Sequence, residues 1–250
     1  MELETTVDLQ LLKRLKTEFT RFMMSYKFAL DELNTKIDIL KQEFEYIHEY
    51  NPIEHVKYRL KTPESILRKV QRKGIELSIP AIKANIFDIA GIRITCSFLS
   101  DIYKVADMLV KQKDIILIEK KDYIKNPKPN GYQSLHLIVQ IPVFMSDRVE
   151  NVYAEVQIRT IAMDFWASLE HKIYYKYQYE VPERLLKELK EAADSVIELD
   201  RKMENIHHEM LRLKANGTIL GDLDEITIND KRFPIPKEFQ AILFREIDKT

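Results

Sequence analysis

The chain has 250 residues, of which 45% are hydrophobic and 32% are charged, and its formal net charge is −1. That length and apolar fraction are enough for one sizeable folded domain with helical additions. The near-neutral charge argues against a protein that coats nucleic acid through bulk charge, because such binding needs a basic surplus to release counterions, although a local basic pocket stays compatible with it.

The first fifty residues show a helical pattern. Apolar side chains recur at steps of three and four through residues 12–47, and Asn51-Pro52 ends the pattern. We predict one long helix or two, with a break near Asn34. Residues 1–52 are thus expected to form N-terminal helices ahead of the main core.

Two elements are predicted next. Residues 59–73 should begin extended and become a helix, since Pro63 suits the first helical position and Gly74 suits the C-terminal cap. Residues 92–98 alternate apolar and polar side chains, as in a half-buried strand. Gly91, just before them, is expected to mark a β-bulge.

The centre of the chain has the pattern of the rest of a sheet. A short helix is predicted at 101–111 and a strand at 115–119. Residues 120–133 contain two prolines, a glycine and several lysines, which predicts a loop. Two alternating apolar runs, 135–141 and 152–158, predict two strands joined as a hairpin.

The last third is predicted to be mainly helical. One helix should run from residue 160 to about 177, with these residues facing inward: Ile161, Phe165, Trp166, Leu169 and Ile173. A second helix, at 182–216, carries an apolar seam spaced four and three: Leu185, Leu189, Ala192, Val196, Leu199, Met203, Ile206, Met210 and Leu213. The seam indicates either pairing with another helix, within or between chains, or a helix lying on its own domain. The tail, 217–250, is expected to be a loosely attached extension without fixed order.

Several motif classes are absent from the sequence. The five glycines form neither a Rossmann nor a P-loop motif, so nucleotide phosphates would have to be bound largely by side-chain cations. The single cysteine, Cys96, excludes an intrachain disulfide and disfavours a cysteine-based zinc site. No signal-peptide pattern and no apolar stretch of membrane length occurs, and we therefore expect a cytoplasmic protein.

Two carboxylates are candidates for a chemical role. Glu155 shares one face of its predicted strand with Tyr153, Gln157 and Arg159, because strand side chains alternate. Asp88 lies at the entrance to an earlier strand. Brought together in one sheet, two carboxylates suit a magnesium–nucleotide site. Taken singly, an exposed sheet face accounts for Glu155, and a helix or strand cap accounts for Asp88, at least equally well.

Cationic and hydroxyl side chains line the two segments before these strands. Arg59 and Lys61 alternate in the extended segment and point to the same side, and Ser65 and Lys69 lie one turn apart on the following helix. They form a row of donors suited to a polyphosphate, and an arginine plane can also stack on a base. The alternative is a solvated basic helix.

The predicted loop at 120–133 adds a second group of polar residues. It carries Lys121, Lys128 and Tyr132, and His136 follows with the strand parity of Tyr132. An aromatic ring among lysines suits stacking on a base with phosphates nearby. The alternative is a basic loop with an incidental tyrosine.

Four blocks occur in an order and spacing that resemble the synthetase domain of the RelA/SpoT family. The blocks are Arg59-x-Lys61-x-x-x-Ser65, Asp88-Ile-Ala-Gly-Ile-Arg93, Asn130-Gly-Tyr-Gln-Ser-Leu-His136 and Glu155-Val-Gln-Ile-Arg-Thr160. The continuation Ala162-Met-Asp-Phe-Trp-Ala-Ser-Leu-Glu-His171 is similar to the stand-alone small alarmone synthetases, most of all the RelP type. The resemblance runs from about residue 53 to the end of the last long helix.

The resemblance implies a role for each block. Two arginines would sandwich the adenine of ATP, and a serine and two lysines would hold its phosphates: Arg59 and Arg93, then Lys61, Ser65 and Lys69. Tyr132 would stack on guanine of the acceptor. The remaining acceptor-site residues would be Lys121, Lys128, His136, Gln157 and Asp164. Asp88 and Glu155 would bind Mg²⁺, and Glu155 would also deprotonate the acceptor hydroxyl.

The family implies a (p)ppGpp synthetase of the stringent response, that is, a GTP diphosphokinase (ATP:GTP 3′-pyrophosphotransferase). Such an enzyme transfers the β,γ-pyrophosphate of ATP to the 3′-hydroxyl of GDP or GTP and releases AMP. The implied fold is α+β: a mixed, largely antiparallel sheet flanked by helices, of the nucleotidyltransferase-like synthetase type, with long N- and C-terminal helices. Residues 53–181 would be the catalytic core, and the helix at 182–216 would contact other copies in a homotetramer.

Some features depart from the family or favour other classes. Lys121 stands where relatives often carry arginine, which keeps the charge but loses the planar fork. Asp164 stands where some relatives carry asparagine. The lack of the His-Asp dyad of the family's hydrolase domain indicates synthesis without degradation. There are two rival hypotheses. One is an inactive module that binds RNA or a protein partner, although the charge does not indicate RNA binding. The other is a related magnesium-dependent nucleotidyltransferase that releases pyrophosphate.

Overall fold

Helices and strands follow one another along the described residues, which in this computed structural model are 9–47, 50–175, 181–215, 225–228 and 231–236. Their order is α1 (Leu9–Ile47), β1 (Ile53–Leu60), α2 (Pro63–Lys73), α3 (Ile79–Asn85), β2 (Ala90–Cys96), α4 (Leu99–Val110), β3 (Ile116–Asp122), β4 (Leu135–Phe144), β5 (Val149–Thr160), α5 (Ile161–Tyr175), α6 (Glu183–Ala215), β6 (Glu225–Ile228) and β7 (Lys231–Pro234). Among these helices, none combines the length and apolar character that crossing a bilayer requires.

Five strands form one sheet in the order β1-β2-β5-β4-β3. Strands β2 and β5 run parallel, whereas the other three neighbouring pairs are antiparallel. The predicted α+β fold with a mixed, largely antiparallel sheet is therefore confirmed, and so is the β4–β5 hairpin. Within the predicted tail, β6 pairs with β7. The rest of 217–250 lies outside the described residues.

The core lies between one face of the sheet and helices α1 and α4. On β5, every second residue is at most 3% exposed: Val152, Ala154, Val156 and Ile158. They belong to the same apolar cluster as Leu33 and Ile37 of α1 and Ile102 and Leu109 of α4. Because strand side chains alternate, this packing leaves the other face of β5 to its polar residues.

Local capping defines α2 as the sequence predicts. The Thr62 side chain accepts a hydrogen bond from the backbone N–H of Ser65, and Pro63 opens the helix. Gly74 ends it in the left-handed region, with φ of 62°. The row of donors on this helix is thereby placed directly after the end of β1.

Two predicted irregularities are wrong. Helix α1 runs unbroken through Asn34, whose side chain donates to Asp38 Oδ2 (2.9 Å) one turn later and so does not compete for the backbone. Gly91 marks no bulge, since it pairs with Arg59 on one side and Glu155 on the other in continuous register. The irregularity of β1 lies near Ile53 instead.

Two further predictions need correction. Strand β3 extends to Asp122, into the predicted loop, because Lys121 pairs with His136 on β4. The inward face of α5 is formed by Met163, Trp166 and Ala167, so only Trp166 was assigned correctly. The misassigned residues are 41–61% exposed: Ile161, Phe165, Leu169 and Ile173. The phase of α5 is set by its cap, where the Met163 N–H donates to Thr160 Oγ1 (3.1 Å). The predicted end of this helix near residue 177 lies outside the described residues.

Helix α6 lies on its own domain, but not through the whole predicted seam. Its most buried residues are Ala193 and Asp200, at 3% and 8% exposure. The second half of the seam is 50–62% exposed: Leu199, Met203, Ile206, Met210 and Leu213. Within the described residues, this half of the seam is therefore not covered by the chain itself.

The buried thiol of Cys96 allows a test of this packing. Cys96 is fully buried, and burial raises the pKa of its thiol well above the usual range. Because thiol reagents react with the thiolate, we expect the native protein to react with a disulfide reagent such as DTNB only as fast as it unfolds, and quickly in guanidinium chloride. A Ser146→Cys variant, which adds an exposed thiol, is the control and should react with one equivalent at once. Rapid reaction of native Cys96 would contradict the packing described above.

Candidate active site

A single line of polar residues crosses all five strands on the face opposite the core. Lys57 pairs with Arg93, Arg93 with Gln157, Gln157 with His136, and His136 with Lys121. Directly paired residues in a sheet project from the same face. The register therefore collects, on one surface, side chains that the sequence spreads from Lys57 to Gln157.

The adjoining register line forms a cleft. Arg59 pairs with Gly91, and Gly91 pairs with Glu155. Since Gly91 has no side chain, the space between Arg59 and Glu155 stays open. The cleft has a volume of about 430 Å³ and is lined by Lys57, Tyr58, Arg59, Asp88, Gly91, Ile92, Arg93, Glu155 and Gln157. Five of the predicted site residues thus share one cleft, which also contains Lys57 and Gly91, two residues that the sequence analysis did not assign to the site.

Asp88 lies at the mouth of this cleft, held by two lysines. Lys61 Nζ and Lys69 Nζ each donate to Oδ2 of Asp88 at 2.6 Å. Burial acts to raise the pKa of Asp88, but the two lysines outweigh it and the pKa lies below the usual value. Lys61 itself is 8% exposed, and this burial lowers its pKa. The second oxygen, Oδ1, is buried and has no hydrogen-bond partner within the described residues.

Glu155 is held by a short hydrogen-bond chain. Its Oε1 lies 3.3 Å from His136 Nδ1, and its Oε2 accepts from Gln157 Nε2 at 2.9 Å. Burial acts to raise the pKa of Glu155, but the hydrogen bond and charge interaction with His136, with the help of Gln157, bring it below the usual value. On the far side, His136 Nε2 lies 2.9 Å from the hydroxyl of Tyr132. The predicted aromatic and the predicted carboxylate are thus linked through one imidazole.

The loop around Tyr132 places a cation between aromatic rings. Lys128 Nζ lies 4.6 Å from the ring centroid of Tyr132 and 4.8 Å from that of Tyr123. Burial raises the pKa of the Tyr132 hydroxyl. Lys121 is at the edge of the sheet, paired with Glu119 at 2.9 Å, and that pairing raises its pKa. Lys128 and Tyr132 therefore form a compact unit beside Glu155, with Lys121 more exposed.

Arg159 is a buried charge that the sequence analysis did not assign to the site. It is 2% exposed, donates to Gln157 Oε1 (3.3 Å) and has its Nε 3.3 Å from Asp164 Oδ1. Burial lowers its pKa. Arg93 lies 3.4 Å from the same oxygen of Asp164. Alternation along β5 places Arg159 on the polar face, but only the packed structure shows that it is enclosed.

Ser65 is half-buried in the first turn of α2, one turn before Lys69. Its hydroxyl accepts from Thr62 Oγ1 at 3.0 Å and from Arg68 at 3.3 Å. A helix N-terminus presents free backbone N–H groups and favours negative charge. The start of α2 therefore combines backbone donors with Ser65 and Lys69, two of the residues predicted from the sequence to hold phosphate groups.

The donor set fits a magnesium ion that arrives with a nucleotide. Asp88 and Glu155 border one cleft, and the charge of Asp88 affects Glu155. The described residues contain no cluster of three or more His, Cys, Asp or Glu side chains that could hold a metal alone. Mg²⁺ commonly takes one or two carboxylates and completes its shell with phosphate oxygens and water. The buried, unpaired Oδ1 of Asp88 is consistent with such a ligand.

Comparison with known proteins places this geometry in a family. The family described as "Region found in RelA / SpoT proteins" matches residues 58–180. The chain is similar to GTP pyrophosphokinase YwaC of Bacillus subtilis (strain 168), with 54% identity over 199 residues, which is 80% of this chain and 95% of that protein.

Solved structures agree with the sequence match. The small alarmone synthetase 2 of Bacillus subtilis shares 53% identity at a TM-score of 0.70, over 77% of this chain and 99% of that one. Two structures of small alarmone synthetase 1 from the same organism, bound to the product pppGpp and to AMPCPP, share 38% and 36% identity. Their TM-scores are 0.70 and 0.65, and each covers 77% of this chain and 97% of that one. The chain therefore belongs to the RelA/SpoT family, and within it to the small alarmone synthetases.

Proposed function

We propose that this protein is a GTP pyrophosphokinase that moves the β,γ-pyrophosphate of ATP to the 3′-hydroxyl of GDP or GTP. The observation that carries the proposal is the cleft that contains Asp88 and Glu155. Asp88 lies just before β2, Glu155 lies on the parallel strand β5, and the two are flanked by a row of cations on one side and by the loop of Tyr132 on the other. The relative YwaC carries the name GTP pyrophosphokinase, and a solved relative holds pppGpp as its product.

The ATP site lies on the β1, β2 and α2 side of the cleft. Arg59 and Arg93 line the cleft and would hold adenine between their planes. Lys61 and Lys69, now bonded to Asp88, would exchange that carboxylate for triphosphate oxygens, assisted by Ser65 at the start of α2. A relative bound to AMPCPP, which resembles ATP, supports a nucleotide donor here.

The acceptor site lies on the β3 and β4 side. Tyr132 would stack on guanine, close to Lys128 and His136. These two residues and Lys121, which pairs with His136 across the sheet, would contact the acceptor phosphates. Gln157 and Asp164 would orient the acceptor from the sheet, each held in place by Arg159. The aspartate at 164 already faces two arginines, so its role is to set their positions as much as to contact the substrate.

The reaction is a displacement at phosphorus. The acceptor 3′-oxygen forms a bond to the β-phosphorus of ATP, the bond from that phosphorus to the α,β-bridging oxygen breaks, and AMP leaves with those electrons. The hydroxyl proton passes to Glu155, which is ionised at neutral pH because its pKa lies below the usual value. Positioning and charge neutralisation supply most of the rate in such transfers. Mg²⁺ held by Asp88 and Glu155 would neutralise charge on the transferred phosphates.

The wider setting follows from the same proposal. A (p)ppGpp synthetase acts in the stringent response and uses nucleotides of the cytoplasm, where we place this protein. Residues 53–181 form the catalytic core in this proposal, and 1–52 and 182–216 add helices to it. The exposed half-seam of α6 is the contact between copies in a homo-oligomer, which we propose to be a tetramer.

The first prediction from the proposed function concerns the reaction itself. Purified protein incubated with ATP, Mg²⁺ and GDP or GTP should produce AMP and a guanosine carrying a 3′-diphosphate, separated by anion-exchange chromatography. Glu155→Gln should lower turnover at least about a hundredfold, because the amide cannot accept the proton.

The matched control is Glu150→Gln, on the same strand but outside the cleft, where Glu150 pairs with Lys83 and Arg148. It should retain nearly full turnover. Release of pyrophosphate without AMP would instead indicate a nucleotidyltransferase. Near-normal turnover of Glu155→Gln would refute the role of that residue.

A second prediction concerns pH. Burial raises the pKa of Glu155, and loss of His136 removes the two largest interactions that lower it, so that only the hydrogen bond from Gln157 still opposes burial. We therefore expect His136→Gln to move the acid limb of the kcat profile to higher pH, since Glu155 then loses its charge at higher pH. Wild-type and variant profiles at saturating substrates provide the measurement. An unmoved acid limb would show that His136 does not control Glu155.

A third prediction concerns assembly. Met203→Glu with Ile206→Glu places charges on the exposed half-seam, where no burial within the described chain is lost. Light scattering after size exclusion should show a smaller oligomer than wild type. The control is Asn205→Glu, an exposed change that also adds negative charge but lies off the seam, and it should leave the oligomer intact. If wild type and both variants have the same mass, α6 is not part of the interface between copies.

A further inference from the structure

The loop that joins β3 to β4, residues 123–134, carries Lys128 and Tyr132 and is called the acceptor loop below; it packs against helix α6. Gly131, just before Tyr132, has φ of 88°, in the left-handed region that favours glycine. A Cβ placed on Gly131 would lie 2.5 Å from the Cβ of Ala193 and 3.6 Å from the Cα of Lys190. Backbone of the loop and the methyl group of Ala193 are therefore in direct contact, with no room for another carbon between them.

A small apolar cluster surrounds this contact. Trp166, Ala167 and Ala193 are buried together, and Tyr132 packs against them. Trp166 Nε1 donates to the backbone oxygen of Leu189 (3.2 Å), which fastens α5 to α6. The cluster therefore joins the proposed guanine-stacking ring to two helices.

Hydrogen bonds hold the loop on either side of Gly131. Asn130 Nδ2 donates to Glu170 Oε1 of α5 at 3.1 Å, and Asn130 Oδ1 accepts from the N–H of Tyr132 at 3.2 Å. On its other side, the Tyr132 hydroxyl lies 2.9 Å from His136. The ring is thus fixed between the helices and the imidazole that also contacts Glu155.

We propose that Ala193 of α6 is a positioning residue for the acceptor nucleotide: its small side chain seats Gly131 and thereby sets the place of Tyr132. The inference rests on the proposed function. Displacement of a substrate-positioning group by about 1 Å can cost about a hundredfold in rate. The donor residues Lys61 and Lys69 are held through Asp88 on the other side of the site, so ATP binding should be spared.

The test is Ala193→Leu, compared with Ser195→Leu, which enlarges a small, exposed residue of the same helix off the seam. We expect Ala193→Leu to raise the KM for GDP or GTP by about tenfold or more while the KM for ATP changes less than about twofold. Ser195→Leu should match wild type in both. Trp166 is the single tryptophan and is 6% exposed, so acrylamide quenching of its fluorescence should rise only in Ala193→Leu.

A second pair of variants covers the case in which leucine at position 193 prevents folding. Gly131→Ala should raise the acceptor KM, and adding Ala193→Gly should recover part of the loss, because it removes the clashing carbon although the strain at φ of 88° stays. A general structural defect would raise both KM values and lower Tm without such recovery.

The outcomes separate the two proposals. The positioning role is overturned if Ala193→Leu and Gly131→Ala leave the KM for GDP or GTP unchanged. It is also overturned if they raise that KM and the KM for ATP equally. If wild-type protein makes no guanine product, the proposed function fails, and calorimetric titration with GDP alone still decides the inference: weaker binding by Ala193→Leu than by Ser195→Leu supports it, and equal binding refutes it.

Discussion

The parallel pairing of β2 with β5 is the constraint on which the site depends. It joins the half of the sheet that carries Arg59 and Asp88 to the half that carries His136 and the aromatic loop. Its register sets Gly91 opposite Glu155 and Arg93 opposite Gln157. A slip of one residue would turn Glu155 into the apolar core and bring Val156 into the cleft, and the buried core face makes such a slip costly. The same apolar packing that stabilises the fold thus also selects the arrangement of the cleft.

Each carboxylate of the candidate site is paired with cations or with an imidazole of the same chain. Asp88 lies between two lysines, Glu155 contacts His136, and Asp164 lies between two arginines. The cations that the proposal assigns to phosphates are therefore already held close to their working positions. Binding exchanges one set of anionic partners for another and avoids the cost of moving free lysines into place.

Features that depend on local chemistry could be predicted from the sequence. Alternation along β5 places Glu155, Gln157 and Arg159 on one face, and the cap and glycine stop of α2 follow from residue type. Features that depend on a partner could not. The phase of α5 is set by the hydroxyl of Thr160, and the openness of the cleft at Gly91 needs both neighbouring strands. The enclosure of Arg159 likewise requires side chains from the loop and from α5, which no spacing in the sequence reveals.

The two halves of the apolar seam of helix α6 differ in what they contact. In its first half, Leu189 and Val196 pack against the cluster of Trp166 and Ala193, beside the acceptor loop. Past that point the helix is fixed by polar contacts: Thr160 Oγ1 donates to the buried Asp200 at 2.5 Å, and Glu204 accepts from the Ser100 N–H at 2.8 Å. Because these bonds tie α6 to the end of β5 and the start of α4, the helix does not need its second half-seam for attachment. Among the described residues, none covers this apolar surface, and it is the surface that a second copy would cover. Covering it would leave the contacts that seat Tyr132 in place.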